Sequence, residues 1–291
     1  MRAIKDIARP GGPRPLDVGH QDQRGRVLVA DSMSYYDSRV TAADVLVCGS
    51  FAGAHIVEQL GLCWGPRALI AHACGVGKDD AGISGLTVCQ ELGVPMAAVE
   101  TMSARISDGR SVFESGVVGH VNEAAQGLGV AIGMSVERAS HLMLDAAPGD
   151  PIQSHETDTQ VHILHEGSGG RIVAVWNPLL LLDQGRHSED VICIGLHSGK
   201  VMAEWSSALE PRGVIANDGG FGKDRTGVAG LDSLGASGVA AASVAAMSAR
   251  IGDCLSTYAD GVITALNDVA HRRGVREGMT SRKAALLMLG A

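Results

Sequence analysis

The chain carries the same twelve-residue loop twice, and this repetition limits how it can fold. The first copy, GVGKDDAGISGL, spans residues 75–86, and the second, GFGKDRTGVAGL, spans residues 220–231. Seven of the twelve positions are identical, including a Gly-Lys-Asp core. The lysines of that core, Lys78 and Lys223, lie 145 residues apart.

The same offset relates other segments of the chain. It links the MSARI sequence at residues 102–106 to a second MSARI at residues 247–251, and it links Asn122 to Asn267. A single register kept through most of each copy is not expected from chance, and an internal repeat of this kind defines the architecture. The sequence therefore indicates a tandem duplication.

Each copy alternates short apolar runs with helical patterns. In the first copy RVLVAD, DVLVCG, ALIAHA and PMAAVET are typical of buried strands, and RIVAVW, DVICIG, GVIAN and VAAASVA are their counterparts. Helical patterns cover residues 52–61, 81–92, 109–128 and 135–144. Continuous apolar strands alternating with helices predict parallel sheets covered on both faces. The predicted fold is therefore α/β, with two parallel-sheet domains related by pseudo-twofold symmetry.

The duplication also divides the chain. We predict an N-terminal extension at residues 1–23, a first α/β repeat at 24–146, a linker at 147–168 and a second repeat at 169–291. The linker is polar and rich in glycine and proline at its ends, and its TQVHILHE stretch is compatible with a short extra strand.

Composition excludes several classes of function. The net charge of -8 provides no basic stripe for nucleic acid, although it allows a small anionic ligand. None of the six cysteines forms a C-x-x-C pair, which is typical of a reducing compartment. No apolar run reaches the roughly 18 residues of a membrane helix. We therefore expect a cytoplasmic protein with no nucleic-acid or membrane partner, whose small residues and modest charge permit a homo-oligomer.

The residues shared by the two copies follow predicted strands. The Gly-x-Gly-Lys-Asp loop follows the third strand, and Met-Ser-Ala-Arg-Ile follows the fourth. Ligands of open α/β sheets bind beyond the carboxyl ends of the strands, where these loops should converge. The predicted substrate-binding residues are Gly77, Lys78, Ser103 and Arg105 in the first copy and Gly222, Lys223, Ser248 and Arg250 in the second.

These residue types suit a small anion. The glycines permit positive φ, so backbone amides can approach a ligand, and the next helix N-terminus adds partial positive charge. Lysine contributes a full charge, and arginine can clamp a carboxylate with two parallel hydrogen bonds. The sequence therefore predicts a small, polar, anionic substrate, with a carboxylate favoured over a phosphate.

Four residues are candidates for the chemistry itself. Asp79, Asp224 and Asp218 could transfer protons, and Cys74 follows a strand at a turn suited to a nucleophile. His72 should point to the same side as Cys74 because side chains alternate along a strand. Since buried cysteine is usually inert, a packing role for Cys74 is the alternative.

Two nucleotide motifs are excluded. A P-loop needs an earlier glycine and a Ser or Thr after its lysine, where this chain has Asp79 or Asp224. The dinucleotide fingerprint lacks its third glycine. We therefore predict no cofactor, and a hydrolase, with a lyase as second choice, rather than a redox enzyme. A metal site is not predicted, because His162 and His165 would face opposite sides of a strand.

The alternative is a non-catalytic anion-binding or assembly protein whose repeated loops are structural. In that case Lys78 and Asp79 pair locally, Ser103 acts as a helix N-cap together with its counterpart, and Arg105 holds the twin domains together. A third possibility is a decayed first copy beside a working second copy. Substitution of Lys78 and Lys223 should distinguish these hypotheses.

Overall fold

The structure, a computed structural model, describes residue 14 and residues 16–151 and 160–290. Residues 1–13 and 15 of the predicted extension, and residues 152–159 of the predicted linker, lie outside the described residues. The chain forms two six-stranded sheets with helices, one in each half. The first sheet contains β1 (Asp17–Asp22), β2 (Gly25–Ala30), β3 (Val45–Phe51), β4 (Ala68–His72), β5 (Met96–Val99) and β6 (Val118–Val121), in that order.

The second sheet repeats this order. It contains β7 (His162–Gly167), β8 (Gly170–Val175), β9 (Val191–His197), β10 (Gly213–Asn217), β11 (Ala240–Val244) and β12 (Ile263–Leu266). The four inner strands of each sheet are parallel, whereas both edge strands are antiparallel to their neighbours. The sheets are therefore mixed and mostly parallel, which corrects the prediction of wholly parallel sheets. Strands β1 and β7 lie inside stretches that were predicted to flank the repeats.

Ten α-helices occur in the described part of the chain. They are α1 (Ala54–Ile56), α2 (Gly85–Glu91), α3 (Gly109–Ser115), α4 (Glu123–Gly127), α5 (Val136–Met143), α6 (Lys200–Ser207), α7 (Gly230–Ala236), α8 (Cys254–Ala259), α9 (Asp268–Arg272) and α10 (Ser281–Leu289). Helix α1 continues into one π-helical stretch, Val57–Gly61. None of the helices in the described residues is long and apolar enough to cross a membrane.

The helix predicted over residues 109–128 is wrong. Helices α3 and α4 occupy its two ends, and β6 lies between them. Helix α3 ends where Gly116 adopts an extended conformation, with ψ 142°. Helix α4 is capped by Asn122, whose Oδ1 accepts from the Ala125 N–H at 3.0 Å. The segment predicted as one long helix is therefore two short helices, and the N-cap at Asn122 marks the start of the second.

One hydrophobic core joins the two sheets. The inward faces of both contribute to it, for example Leu46 and Leu69 from the first sheet and Ile192 and Val214 from the second. Each opposite face has a separate core, covered by α3 and α5 in the first half and by α8 and α10 in the second. Because a single apolar cluster includes both sheets, the two halves pack directly on each other.

Candidate functional site

The loops at the carboxyl ends of the parallel strands converge as predicted. In the first half the Ser107 N–H donates to the Gly49 carbonyl at 3.0 Å, which joins the loop after β5 to the C-terminal part of β3. The Gly75 N–H donates to Thr101 Oγ1 at 2.8 Å, which joins the loops after β4 and β5. In the second half the Gly252 N–H donates to the Gly195 carbonyl at 2.6 Å.

The repeated loops of the two halves face each other. A Cβ placed on Gly220 would lie 2.6 Å from the Gly75 Cα, so these two backbones are in direct contact. The Lys78 N–H donates to the Ala246 carbonyl at 2.8 Å, and the Lys223 N–H donates to the Ala104 carbonyl at 3.2 Å. We call this contact the seam, formed by residues 74–80 and 101–108 of the first half and residues 219–225 and 246–253 of the second.

Both copies of the loop share an unusual backbone. The four glycines at which positive φ was predicted all have it, namely Gly75, Gly77, Gly220 and Gly222. Non-glycine residues have it as well, since Asp79 has φ 55° and Asp224 has φ 56°. Such a conformation costs an L-residue about 1–2 kcal/mol. The two similar loop sequences therefore adopt the same strained shape, held by contacts around it.

The predicted anion-binding arginines pair across the seam. Arg105 Nε donates to Asp224 Oδ2 at 2.8 Å, and Arg250 Nη1 donates to Asp79 Oδ2 at 2.9 Å. The two pairs occupy equivalent positions, because each residue of one pair lies 145 positions from a residue of the other. Asp224 and Asp79, which were predicted to be catalytic, are therefore the hydrogen-bond partners of the arginines that were predicted to bind the substrate.

The lysines also reach the opposite half. Lys78 Nζ lies 2.9 Å from Asp260 Oδ2, and this ion pair lowers the pKa of Asp260. Lys223 Nζ lies 3.4 Å from Ser115 Oγ, at the position equivalent to Asp260. An anionic ligand at either lysine would therefore compete with a partner that the protein already supplies.

Ser103 and Ser248 fasten the loops after β5 and β11 and do not cap helices. Ser103 Oγ donates to the Glu100 carbonyl at 2.8 Å and accepts from the Val117 N–H at 3.0 Å. Ser248 makes the same two bonds to equivalent residues, at 2.9 Å each. The N-caps are Asp108 and Asp253, whose Oδ1 atoms accept from N–H groups in the first turns of α3 and α8.

Asp218 is buried, and both of its carboxylate oxygens accept hydrogen bonds. Its Oδ1 accepts from the Gly220 N–H at 2.8 Å and the Ala246 N–H at 2.9 Å, and its Oδ2 accepts from Thr264 Oγ1 at 2.8 Å. A general base needs a lone pair within reach of the substrate proton. The contacts of Asp218 support the shape of the second loop and argue against that role.

His72 performs the structural work that Asn217 performs in the second half. Its Nδ1 accepts from the Cys74 N–H and its Nε2 donates to the Ala104 carbonyl, both at 3.0 Å. Asn217 Oδ1 accepts from the Gly219 N–H, and its Nδ2 donates to a carbonyl, both at 2.9 Å. Burial lowers the pKa of His72 to about 4, so this neutral tautomer persists at neutral pH.

Cys74 is completely buried, and burial raises the pKa of its thiol well above the usual range. His72 Nδ1 accepts from the Cys74 N–H, so this nitrogen is not available to accept the thiol proton. The thiolate is the nucleophilic form of cysteine, and this environment disfavours it. These observations argue against covalent chemistry at Cys74.

Cysteine labelling should reveal the difference in burial. Cys63 is partly exposed, whereas the other five cysteines are buried. We expect a thiol reagent to modify Cys63 rapidly and to reach Cys74 only as the protein unfolds. Peptide mapping by mass spectrometry checks this order, and Cys63→Ser should remove the fast phase. Rapid modification of Cys74 in the folded protein would contradict the burial argument.

Sequence reasoning missed the residues that pair with the lysines. Asp260 and Ser115 align at the same offset as the rest of the repeat, but they differ in residue type and gave no signal. It also missed the polar residues beneath the seam, among them His197 and Trp205. Within the described residues, no three His, Cys, Asp or Glu side chains are grouped to hold a metal.

Comparisons with known proteins supply no role for the seam. No protein-family model, curated protein sequence or solved structure matches this chain.

Proposed function

We propose that the repeated loops act as an intramolecular clamp that assembles the duplicated halves into one body. The observation that carries this proposal is the reciprocal pairing of Arg105 with Asp224 and of Arg250 with Asp79. Each half supplies the cation of one pair and the anion of the other. We further propose that the halves are related by a pseudo-twofold axis near Gly75 and Gly220, since a reciprocal contact of equivalent residues is typical of such an axis.

The ion pairs and the apolar core contribute differently to the stability of the clamp. The arginine and aspartate side chains of the two pairs are 42–61% exposed, so water screens their attraction. Exposed pairs typically contribute about 0.2–1 kcal/mol each. The shared apolar core therefore provides most of the stability of the interface, and the ion pairs fix the register in which the halves meet.

A pair of double-mutant cycles tests the clamp. We expect the Arg105–Asp224 and Arg250–Asp79 pairs each to give a coupling free energy of about 0.2–1 kcal/mol, falling as salt is added. Urea unfolding of the single and double alanine variants measures it. Within one half, the exposed Arg39–Asp37 pair is the matched control for local salt effects. Zero coupling in both cross-seam pairs would refute their part in the clamp.

A second candidate is a hydrolase or lyase that acts on a small carboxylate-bearing metabolite. The exposure of the two arginines favours it, because a ligand carboxylate could replace Asp79 at Arg250 or Asp224 at Arg105. The displaced aspartate would then be an ionised group beside the ligand, able to accept a proton. In this case the seam is both the interface and the site.

The lysines distinguish the two candidates. If the seam is a catalytic site, Lys78→Ala or Lys223→Ala should abolish turnover and change stability by no more than about 1 kcal/mol. If it is only a clamp, the same changes should lower stability by a similarly small amount and leave any activity located elsewhere unaffected, so the loss of turnover is what distinguishes the candidates. Lys283→Ala, on the exposed face of α10, is the control. A strongly unequal response of the two lysines would indicate that only one copy works.

We also propose a cytoplasmic location and self-association into a homo-oligomer. The six cysteines, which form no disulfide among the described residues, support a reducing compartment, and the abundance of small residues is compatible with close packing between subunits. Analytical ultracentrifugation of the full chain measures the second property directly, and a single species at the 30.0 kDa chain mass would contradict it.

A further inference from the structure

A small cavity lies beneath the seam, between the two halves. Ser34, from the segment between β2 and β3, and Ser107 line it from the first half. His197, at the end of β9, and Trp205, on α6, line it from the second half. Its volume is about 20 Å³, which is room for one water-sized group.

Two buried polar atoms beside this cavity have no partner among the described residues. They are Ser34 Oγ and Trp205 Nε1. Ser34 is 2% exposed and Trp205 is 1% exposed, so bulk water does not satisfy them. Native proteins pair nearly all buried polar groups, with protein or with an ordered bound molecule. The indole N–H can only donate, and it therefore calls for an acceptor in the cavity.

His197 supplies another donor. Its Nδ1 accepts from the Gly199 N–H at 3.2 Å, so in the neutral ring the proton resides on Nε2. Burial lowers the pKa of His197 to about 3, which keeps the ring neutral at physiological pH. The histidine is therefore a hydrogen-bond donor here and is unsuited to act as a base toward the neighbouring serines.

Ser107 maintains a strained backbone at the cavity wall. It has φ 60°, whereas the equivalent position of the second half is Gly252, with φ 94°. Glycine adopts this conformation without the steric penalty that serine incurs. Glycine fits this position of the loop in the second half, whereas the first half has a serine hydroxyl there. Strain of this kind is characteristic of ligand sites.

Among the described residues, the lining of the cavity contains hydroxyl, imidazole and indole groups and apolar side chains, but no Lys, Arg, Asp or Glu. Burying a charged ligand without a counter-charge is unfavourable, whereas a neutral group that accepts hydrogen bonds suits these donors. We propose that the cavity is a binding site for a single uncharged oxygen atom that bridges the two halves. Water supplies this atom in the free protein, and the hydroxyl or carbonyl tip of a small polar ligand can take its place.

The hydrogen bonds of such an oxygen can be completed within the lining. The oxygen accepts from the indole N–H of Trp205 and the imidazole N–H of His197. When it belongs to water, it donates its two protons to the hydroxyl oxygens of Ser34 and Ser107. The proposal is independent of the clamp, because it depends on different side chains.

Crystallography of the full chain tests the occupant. Crystals are grown in chloride and in bromide, and the second set is measured at the bromine absorption edge. We expect one density peak within hydrogen-bond distance of Trp205 Nε1 and Ser34 Oγ, with no anomalous signal. A bromide peak there would show a charged occupant and overturn the proposal, and so would an empty cavity.

Solution NMR separates the two sources of the oxygen. The full chain is labelled with ¹⁵N-tryptophan, and the Trp205 indole signal is assigned with Trp205→Phe. We expect a cross-peak between this indole proton and bound water, and Ser107→Gly should lose it and keep the fold because Gly252 already serves the second half. Loss of the cross-peak on adding acetamide identifies a ligand tip as occupant, whereas its persistence identifies resident water.

Two outcomes of this experiment contradict the proposal. Acetate displacing the water where acetamide does not would mean that the site prefers a charged group. A water cross-peak that is unchanged in both Ser107→Gly and Ser34→Ala would mean that the water lies elsewhere. Trp176, which is 2% exposed but does not line this cavity, provides the internal reference signal.

Discussion

Replacement of His72 by asparagine is expected to leave stability at neutral pH within about 1 kcal/mol of the parent and to make the protein more resistant to acid. The reason is that Asn217 already makes the same two hydrogen bonds at the equivalent position of the second half. An asparagine amide can likewise accept from the Cys74 N–H and donate to the Ala104 carbonyl. Unlike histidine, the asparagine amide does not bind a proton as the pH falls.

The sign of the pH effect follows from the two states of His72. Its pKa is about 4 in the folded protein, against an ordinary value of 6.5 in the unfolded chain. Between these values the unfolded state binds more protons than the folded state, so stability falls as the pH falls. The loss amounts to about 3 kcal/mol for this one residue, because each pKa unit corresponds to about 1.4 kcal/mol. His72→Asn should remove that loss.

Urea unfolding of the parent and the variant at several pH values between 7 and 4 measures the difference directly. Comparison of the two proteins cancels the titration of groups that His72 does not influence. His197 is not one of them, because burial and then the nearby charge of His72 lower its pKa to about 3, so His72→Asn also removes that contribution at His197. The reverse change, Asn217→His, is the matched test and should steepen the pH dependence. Parallel curves for the parent and His72→Asn would contradict the buried neutral imidazole.

The inner strands of both sheets were predictable from sequence. Strands β3 and β9 are buried along their whole length, so each appears as a continuous apolar run bounded by turns. The edge strands lack that signal. Strand β1, with the sequence DVGHQD, is largely exposed, and β6 has only four residues between two helices. An edge strand pairs with only one neighbouring strand, so its sequence lacks the continuous apolar run that identifies an inner strand.

The position of the shared loops was predictable, but their contacts were not. The repeat and the rule for α/β sheets placed the shared loops at the carboxyl ends of the strands, where the structure has them. That Arg105 reaches Asp224 depends on how two sheets dock, which no local spacing encodes. His72 was interpreted beside Cys74 as a catalytic neighbour. Its alignment with Asn217 at the repeat offset was the available signal for a structural role.

Gly220→Ala is expected to destabilise the protein by about 3 kcal/mol. Its φ of 67° is unfavourable for alanine, and the new Cβ would lie 2.6 Å from the Cα of Gly75 in the other half. The left-handed conformation accounts for about 1–2 kcal/mol of the expected loss. The remainder comes from overpacking against backbone, which cannot move aside as a flexible side chain can.

Gly238→Ala separates these two contributions. Gly238 has φ 78°, and a Cβ placed on it would meet nothing within 4 Å. Its replacement should therefore cost only the conformational part, about 1–2 kcal/mol. Urea unfolding of both variants gives the difference, which measures how tightly the repeated loops press on each other. Equal losses for the two variants would mean that the halves can separate at Gly75 without penalty, and the seam would then not be a rigid contact.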